Sequence, residues 1–227
     1  MRDAITCQIH CDSALVRQDK NRWWRHPDRT VDVAVAPLPI SDKLDVMHVP
    51  TSMFLTREHF GTRIGLGDEV FITGLFVPTA GEGPNTPIVR AGNLAMVPRF
   101  RVRFRGEDVD VMLIEVRSLG GLSGSPVFAR ETLHLPGVTH DNKTSFLTGS
   151  SRDFHLIGLT SGHWDVDERE LNAPYAEVKN KCDPHGVNMG IAVVVPASKI
   201  LEVLEHSDLK EQRRVELPPP TSHAAAD

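Results

Sequence analysis

Cysteine is scarce in this chain of 227 residues, and the three present, Cys7, Cys11 and Cys182, make an odd and thinly spread set. Such a count argues against a small secreted domain built on disulfides. Cys182 and His185 are one possible pair of metal ligands, but no second pair with matching spacing accompanies them. We therefore expect free thiols and no metal site.

Long apolar runs are absent as well. No segment approaches the roughly 18 apolar residues that span a bilayer, and the N-terminus lacks the apolar core of a signal peptide. As written, the chain is expected to stay in the cytoplasm and to have no membrane partner. A start further upstream that carried an export signal would change that expectation.

An excess of positive charge is the third absence, since the formal net charge is −5 with the histidines neutral. No broad basic surface therefore indicates nucleic acid as a partner. The arginine-rich stretch 99–105 alternates strictly between basic and apolar residues, which is the pattern of a strand with one wet face. With a turn at 106–108, it predicts a hairpin with 109–116 rather than a nucleic-acid patch.

The most informative feature that is present is a serine set between glycines, in the run GGLSGSP at 120–126. A serine hydroxyl becomes an effective nucleophile only when a base takes its proton and donors stabilise the oxyanion. Glycines permit the sharp turn and leave space for a substrate carbonyl. The pattern indicates an acyl-transfer nucleophile at Ser123, with the N–H groups of Gly121 and Ser123 as the oxyanion hole. A plain Gly/Ser loop between strands is the alternative.

A carboxylate inside an apolar, β-branched run is the second informative feature. Residues 30–38, TVDVAVAPL, have the composition of a buried strand. An aspartate buried there needs a hydrogen-bonding or charged partner, and a histidine that it orients is one such partner. The alternative is that Asp32 caps a turn at the entry of the strand.

These segments resemble the trypsin-like (chymotrypsin-fold) serine peptidases in their bacterial form, over roughly residues 22–205. Ser123 follows Asp32 by 91 residues, against about 93 between the same residue types in that family's triad. Segment 31–35 resembles the family's aspartate strand, and 121–126 its nucleophile motif. Three further segments, predicted as strands, are similar in the same order: 67–74, 156–162 and 190–196.

The family's catalytic histidine lies about 45 residues before the aspartate, whereas only 31 residues precede Asp32. His10 stands 22 residues before Asp32, in a faint echo of the family's Thr-Ala-Ala-His-Cys motif with one extra residue. His26 is too close to Asp32 and fits a turn before the strand better. The third interpretation, which the sequence favours, is that the histidine is absent, as in a truncated product or a pseudo-peptidase.

The resemblance implies an all-β, two-barrel chymotrypsin fold with an incomplete first barrel and a C-terminal helix, predicted at 196–209. Residues 1–77 are expected to be the remnant of the N-terminal barrel, and 78–90 the link between barrels. Residues 91–210 are expected to form the C-terminal barrel with the helix, and 211–227 a disordered tail.

The resemblance also implies a serine-type endopeptidase that acts on a peptide or protein substrate through an acyl-enzyme, without a metal or organic cofactor. A catalytically silent relative that binds peptides at a Leu156–Ser161 edge by strand addition, and a fragment of a longer peptidase, are the alternatives. The sequence does not indicate the oligomeric state.

Two further residues take their roles from the resemblance. The family places the residue six positions before the nucleophile at the base of the primary pocket, and here that residue is Arg117. An arginine there would favour an acidic substrate side chain, unless it turns outward to solvent. Ser161 is similar to the serine that supports the family's buried aspartate.

Overall fold

The computed structural model describes residues 23–36, 48–75, 87–97, 99, 101–117, 122–130, 136–138, 144–146, 154–166 and 187–216. These residues form a mostly β structure with one closed barrel of six antiparallel strands and two helices near the C-terminus. The all-β class and the helical end of the barrel domain are thereby confirmed. A second barrel does not occur among the described residues, so the two-barrel arrangement stays a prediction.

The described strands, in chain order, are β1 Trp24–Arg25, β2 Ala34–Val35, β3 Glu69–Leu75, β4 Pro87–Met96, β5 Val102–Phe104, β6 Glu107–Val109, β7 Met112–Glu115, β8 Pro126–Arg130, β9 Pro136–Val138, β10 Thr144–Phe146, β11 Phe154–Val166 and β12 Val187–Pro196. Short 3₁₀ turns at Thr51–Met53 and Arg57–His59 precede β3. Helices α1 (Ala197–Leu204) and α2 (Ser207–Glu216) follow β12. Neither described helix is long and apolar enough to cross a membrane.

The barrel runs in the order β11-β12-β7-β4-β3-β8 and closes where β8 pairs with β11. Alternate side chains of each strand point inward, as closure of a sheet requires. The inward set is aliphatic and almost fully buried, and it includes Val70, Ile72, Leu94, Met112, Ile114, Val127, Ile157 and Val194. Each such side chain contributes about 1.5–3 kcal/mol on burial, so the barrel core is the main source of stability.

Strand β3 belongs to this same barrel. The sequence division placed residues up to 77 in an N-terminal remnant, but β3 pairs with β4 on one side and with β8 on the other. Strand β3 belongs to the barrel because its alternate side chains are apolar, and two of them, Val70 and Ile72, fill the barrel interior. Strand β4 likewise begins at Pro87, within the stretch assigned to the link. The rest of the predicted division stays a prediction.

The arginine-rich stretch forms a hairpin, as its alternation predicts, but with a different turn. Strand β5 pairs with β6 from Val102↔Val109 to Phe104↔Glu107. Arg105 and Gly106 both have positive φ, 51° and 86°, which is the type I′ turn that suits the twist of a two-residue hairpin. The turn therefore comes one residue earlier than expected, and β7 joins the barrel instead of the hairpin.

The N-terminal segment 23–36 packs on the outside of the barrel. Val31 and Val33 are buried against Val195 and the apolar side of α1 in a second core cluster. His26 Nδ1 accepts the Asp28 N–H at 3.1 Å, so Nε2 carries the proton that it donates to Glu202 on α1 at 2.8 Å. The sequence prediction of a turn here holds, because residues 27–30 are bends and turns.

We expect Gly158→Ala to damage the barrel. A Cβ at Gly158 of β11 would clash with the backbone carbonyl of Val195, which cannot move without breaking the β11–β12 pairing. The free energy of unfolding should fall by about 3 kcal/mol or more in urea titrations. Gly65→Ala is the control, since a Cβ there meets nothing within 4 Å and should change stability by less than about 0.5 kcal/mol. Equal losses in the two variants would contradict this account.

We expect the contact between His26 and Glu202 to weaken in acid. Burial acts to raise the pKa of Glu202, but hydrogen bonds from Lys199 and His26 outweigh it and hold the pKa below its usual 4.5. A lowered carboxylate pKa stabilises the fold above the unfolded pKa, and this contribution is lost as the pH falls through the folded value.

Glu202→Gln should therefore cost about 1 kcal/mol at pH 7 and flatten the stability profile below about pH 4.5. The measurement is urea unfolding from pH 3 to pH 7. Glu211→Gln on α2, where the glutamate forms only an exposed pair with Arg214, is the control. An unchanged acid slope in Glu202→Gln would refute the assignment.

Candidate functional site

The serine-containing run forms a tight turn in front of β8. The Ser125 N–H donates to the Leu122 carbonyl at 3.0 Å, and Gly124 has a φ of +83°. Because Ser123 lies outside the positive-φ region, this is a type II turn, which needs glycine at its third position. Leu122 is buried and anchors the turn, while Ser123 is exposed at its tip. Gly121 lies outside the described residues, so the predicted oxyanion pair stays a prediction.

A glycine on β3 makes room for this turn. A Cβ at Gly74 would lie 2.6 Å from both the Leu122 side chain and Ser125 Oγ. Ser125 therefore faces β3 while Ser123 faces outward, and the two serines of the turn have different surroundings. Of the two, Ser123 is the one exposed to solvent.

Thr160 of β11 holds the turn from the other side. Its carbonyl accepts the Gly124 N–H at 2.6 Å, and its N–H donates to the Ser125 carbonyl at 3.0 Å. Its hydroxyl accepts the Ser125 N–H at 3.1 Å and donates to the Leu122 carbonyl. Thr160 is only 3% exposed, so these bonds are made where water does not compete. Sequence reasoning missed this residue; a hydroxyl inside the apolar run at 156–160 was the available signal.

Asp32 contacts Ser161, the residue that follows Thr160 on β11. Ser161 Oγ donates to Asp32 Oδ2 at 2.9 Å. The contact is the one that the resemblance implies for Ser161, and its part in a reaction stays a prediction. Asp32 itself is exposed rather than buried as expected. Since side chains alternate along an extended segment, Val31 and Val33 take the buried face and turn Asp32 outward.

The described histidines form contacts elsewhere. His26 binds Glu202, His59 binds Thr56 and His163 binds Asp165. Among the described residues, the hydrogen bond to Asp32 comes from Ser161 and not from a histidine. His10 lies outside the described residues, so its predicted role is unaltered.

Arg117 is exposed and lies two residues after the end of β7. The four residues after it, 118–121, lie outside the described part of the chain. Its predicted place at the base of a primary pocket stays a prediction. The described residues that line the cavity next to Asp32 do not include Arg117.

A cavity of about 670 Å³ lies between segment 23–36, the β5–β6 hairpin and the outer face of the barrel. Asp32 and Ser161 form part of its wall, together with Arg25, Arg29 and Arg105. This volume is within the range of pockets that bind small molecules or several side chains. Within the described residues, no group of three or more His, Cys, Asp or Glu side chains is placed to hold a metal ion.

An ion pair also joins segment 23–36 to the residues before the β5–β6 hairpin. Arg101, next to the hairpin, binds Asp28 at 2.9 Å and ties segment 23–36 to it. Hydrogen bonds from the Thr30 hydroxyl and N–H, and then from Arg101, lower the pKa of Asp28 to about 2. Asp28 therefore stays ionised at neutral and mildly acidic pH.

The free edge of β11 differs from the one expected. Residues Leu156–Leu159 pair with β8, and from Gly158 onward the strand also pairs with β12. The predicted edge at Leu156–Ser161 is thus largely occupied by β8. After Ser161 the described strands pair with β11 only on the β12 side, so within the described residues no strand occupies the other side at 161–165.

Comparisons of this chain with protein-family models, curated proteins and solved structures find no match. The described fold therefore defines its class: a six-stranded antiparallel β-barrel domain, with an exposed serine turn bonded to Thr160 and an aspartate bonded to Ser161 on the same strand.

We expect Thr160→Val to loosen the serine turn. Valine keeps the shape of threonine but removes the two hydrogen bonds of the hydroxyl, from the Ser125 N–H and to the Leu122 carbonyl, at a cost of about 1–3 kcal/mol in the free energy of unfolding. Ser161→Ala is the matched comparison, because its hydrogen bond to Asp32 is more exposed and should contribute about 1 kcal/mol or less. Urea denaturation of both variants measures the difference. A larger loss in Ser161→Ala would reverse our ranking of the two hydroxyls.

Proposed function

We propose that this chain is a serine-type endopeptidase of the trypsin-like, two-barrel kind, which cleaves peptide bonds through an acyl-enzyme on Ser123. One observation supports this most. The Ser123 turn and Asp32, 91 residues apart in the sequence, are held by consecutive residues of one strand, Thr160 and Ser161. An exposed serine and a carboxylate bonded to neighbouring residues of one strand would supply two of the three parts that acyl transfer needs.

In the proposed reaction, Ser123 Oγ attacks the substrate carbonyl carbon while a base takes its proton. The oxyanion that forms is stabilised by the N–H groups of Gly121 and Ser123. The base then gives its proton to the leaving amine as the peptide C–N bond breaks. Water attacks the acyl-enzyme in the same manner and releases Ser123.

We assign the base to His10, oriented by Asp32. Ser161 occupies Asp32 Oδ2, which leaves Oδ1 to accept an imidazole N–H. A carboxylate in that position fixes the tautomer whose other nitrogen faces the serine. His26 is unsuited to the task because its Nε2 proton is already donated to Glu202.

A second function is peptide binding without turnover. It is favoured by the hydrogen bonding of Asp32 to Ser161 rather than to a histidine within the described residues. The side of β11 that is open at 161–165 is suited to strand addition, in which backbone hydrogen bonds give affinity.

The experiment is intact-mass analysis after incubation with a fluorophosphonate. We expect one label per chain, lost in Ser123→Ala and in His10→Ala but retained in Ser52→Ala, which changes an exposed serine in a 3₁₀ turn. Peptide hydrolysis by Ser123→Ala should fall on the order of 10⁶-fold, as for loss of a serine nucleophile elsewhere.

The outcomes separate the two functions. Labelling that survives in His10→Ala would overturn the assignment of the base while keeping the nucleophile. Absence of labelling in the unaltered chain would refute the peptidase proposal, and binding of extended peptides by that same chain would then support the silent alternative.

A further inference from the structure

Three arginines converge on the cavity beside Asp32. Arg25 and Arg29 come from the N-terminal segment, and Arg105 comes from the turn of the β5–β6 hairpin. The carboxylates on the same wall are Asp32, which is bonded to Ser161, and Glu107. Cations therefore outnumber anions around the cavity, although the whole chain is acidic at −5.

None of these three arginines has an acidic partner among the described residues, whereas several arginines outside the cavity do. Arg101, Arg103 and Arg130 each form an ion pair with a carboxylate. Within the described part of the chain, no carboxylate lies within ion-pair distance of Arg25, Arg29 or Arg105. Three guanidinium groups without counter-ions around one cavity leave their bidentate donors available to an incoming carboxylate.

Arg105 is also held in place. Its φ of +51° is the left-handed conformation that a long side chain rarely adopts. Its guanidinium lies 5.0 Å from the centre of the Phe104 ring, in cation–π geometry, and that ring in turn packs against Trp164 at 5.6 Å. The type I′ turn sets this backbone conformation, and the stacked side chain fixes where the guanidinium lies.

Arg105 lines the cavity and also lies next to β11. A Cβ built on Gly162 would lie 3.2 Å from an Arg105 Nη atom, so the guanidinium sits directly over the strand. Gly162 follows Ser161 and lies in the stretch 161–165, where the described strands pair with β11 on one side only. A peptide that extended β11 there would pass Arg105 and bring its side chains to the cavity.

We infer that this cavity is a subsite for acidic side chains of a bound peptide, with Arg105 as its main contact and Arg25 and Arg29 as supporting charges. The inference rests on the proposed function in that it takes a peptide as the substrate, and it makes that substrate acidic. A peptide fits better than a free anion because the cavity adjoins an unpaired strand side. Its volume of about 670 Å³ also exceeds what one small anion needs.

The test measures binding rather than turnover, so that it does not depend on the catalytic base. The full chain carrying Ser123→Ala is titrated into a fluorescein-labelled extended octapeptide with two glutamates, and into its counterpart with two glutamines. We expect the glutamate peptide to bind about tenfold more tightly at low salt, because charge-assisted bonds to guanidinium are the strong ones. The preference should shrink at high salt, which screens these exposed charges.

Arg105→Asn, added to Ser123→Ala, should remove most of that preference. Asparagine tolerates the left-handed conformation better than arginine, so the variant keeps the hairpin, and its urea unfolding curve checks this. Arg29→Gln should reduce the preference about twofold to threefold through the weaker supporting charge. Arg103→Gln is the control, since it removes an arginine from the same hairpin that is paired with Asp108 and does not line the cavity.

Equal affinity for the two peptides, or the same loss of preference in Arg103→Gln as in Arg105→Asn, would overturn the subsite. Binding of neither peptide, or binding of inorganic phosphate with no preference between the peptides, would overturn it as well. Failure of the peptidase proposal has a different signature, because it appears as absent fluorophosphonate labelling while the glutamate preference persists.

Discussion

Strand β11 is the constraint on which the rest of the structure depends. Its first half closes the barrel by pairing with β8, and its second half continues alone beside β12. Beyond the residues that pair with β8, Thr160 bonds the Ser123 turn and Ser161 bonds Asp32. The candidate site therefore lies at the point where pairing changes from two sides to one, and the closed barrel fixes its geometry more firmly than a loop would.

The second requirement is that segment 23–36 stays against the barrel, because it carries Asp32. That segment has little regular structure of its own, since β1 and β2 are two residues each. Its position comes instead from the buried Val31 and Val33, from the bond between His26 and Glu202, and from the ion pair of Asp28 with Arg101. The apolar contacts give most of the energy, while the two polar contacts fix the orientation in which Asp32 faces the cavity.

Local patterns predicted much of the fold but little of the detail around the site. Alternation and apolar runs at 67–74, 156–162 and 190–196 correspond to β3, β11 and β12, because burial of one strand face is a local signal. The predicted helix at 196–209 is two helices, broken after Leu204. Asp32 was expected to be buried because its neighbours are apolar, but the same alternation turns it outward. Thr160 was missed because its four backbone contacts join segments far apart in the sequence.

The charge around the cavity supports the proposed binding of an acidic ligand. The three arginines on the cavity wall outnumber the two carboxylates, Asp32 and Glu107, and repel one another, while the left-handed backbone at Arg105 adds a small cost. The fold tolerates both because the barrel core is large and lies elsewhere, as is common where a site is destabilised for its function. In an acidic chain, such a local positive field would also draw the proposed acidic peptide toward β11 before contact. A bound carboxylate would therefore relieve the repulsion between these arginines in the free protein.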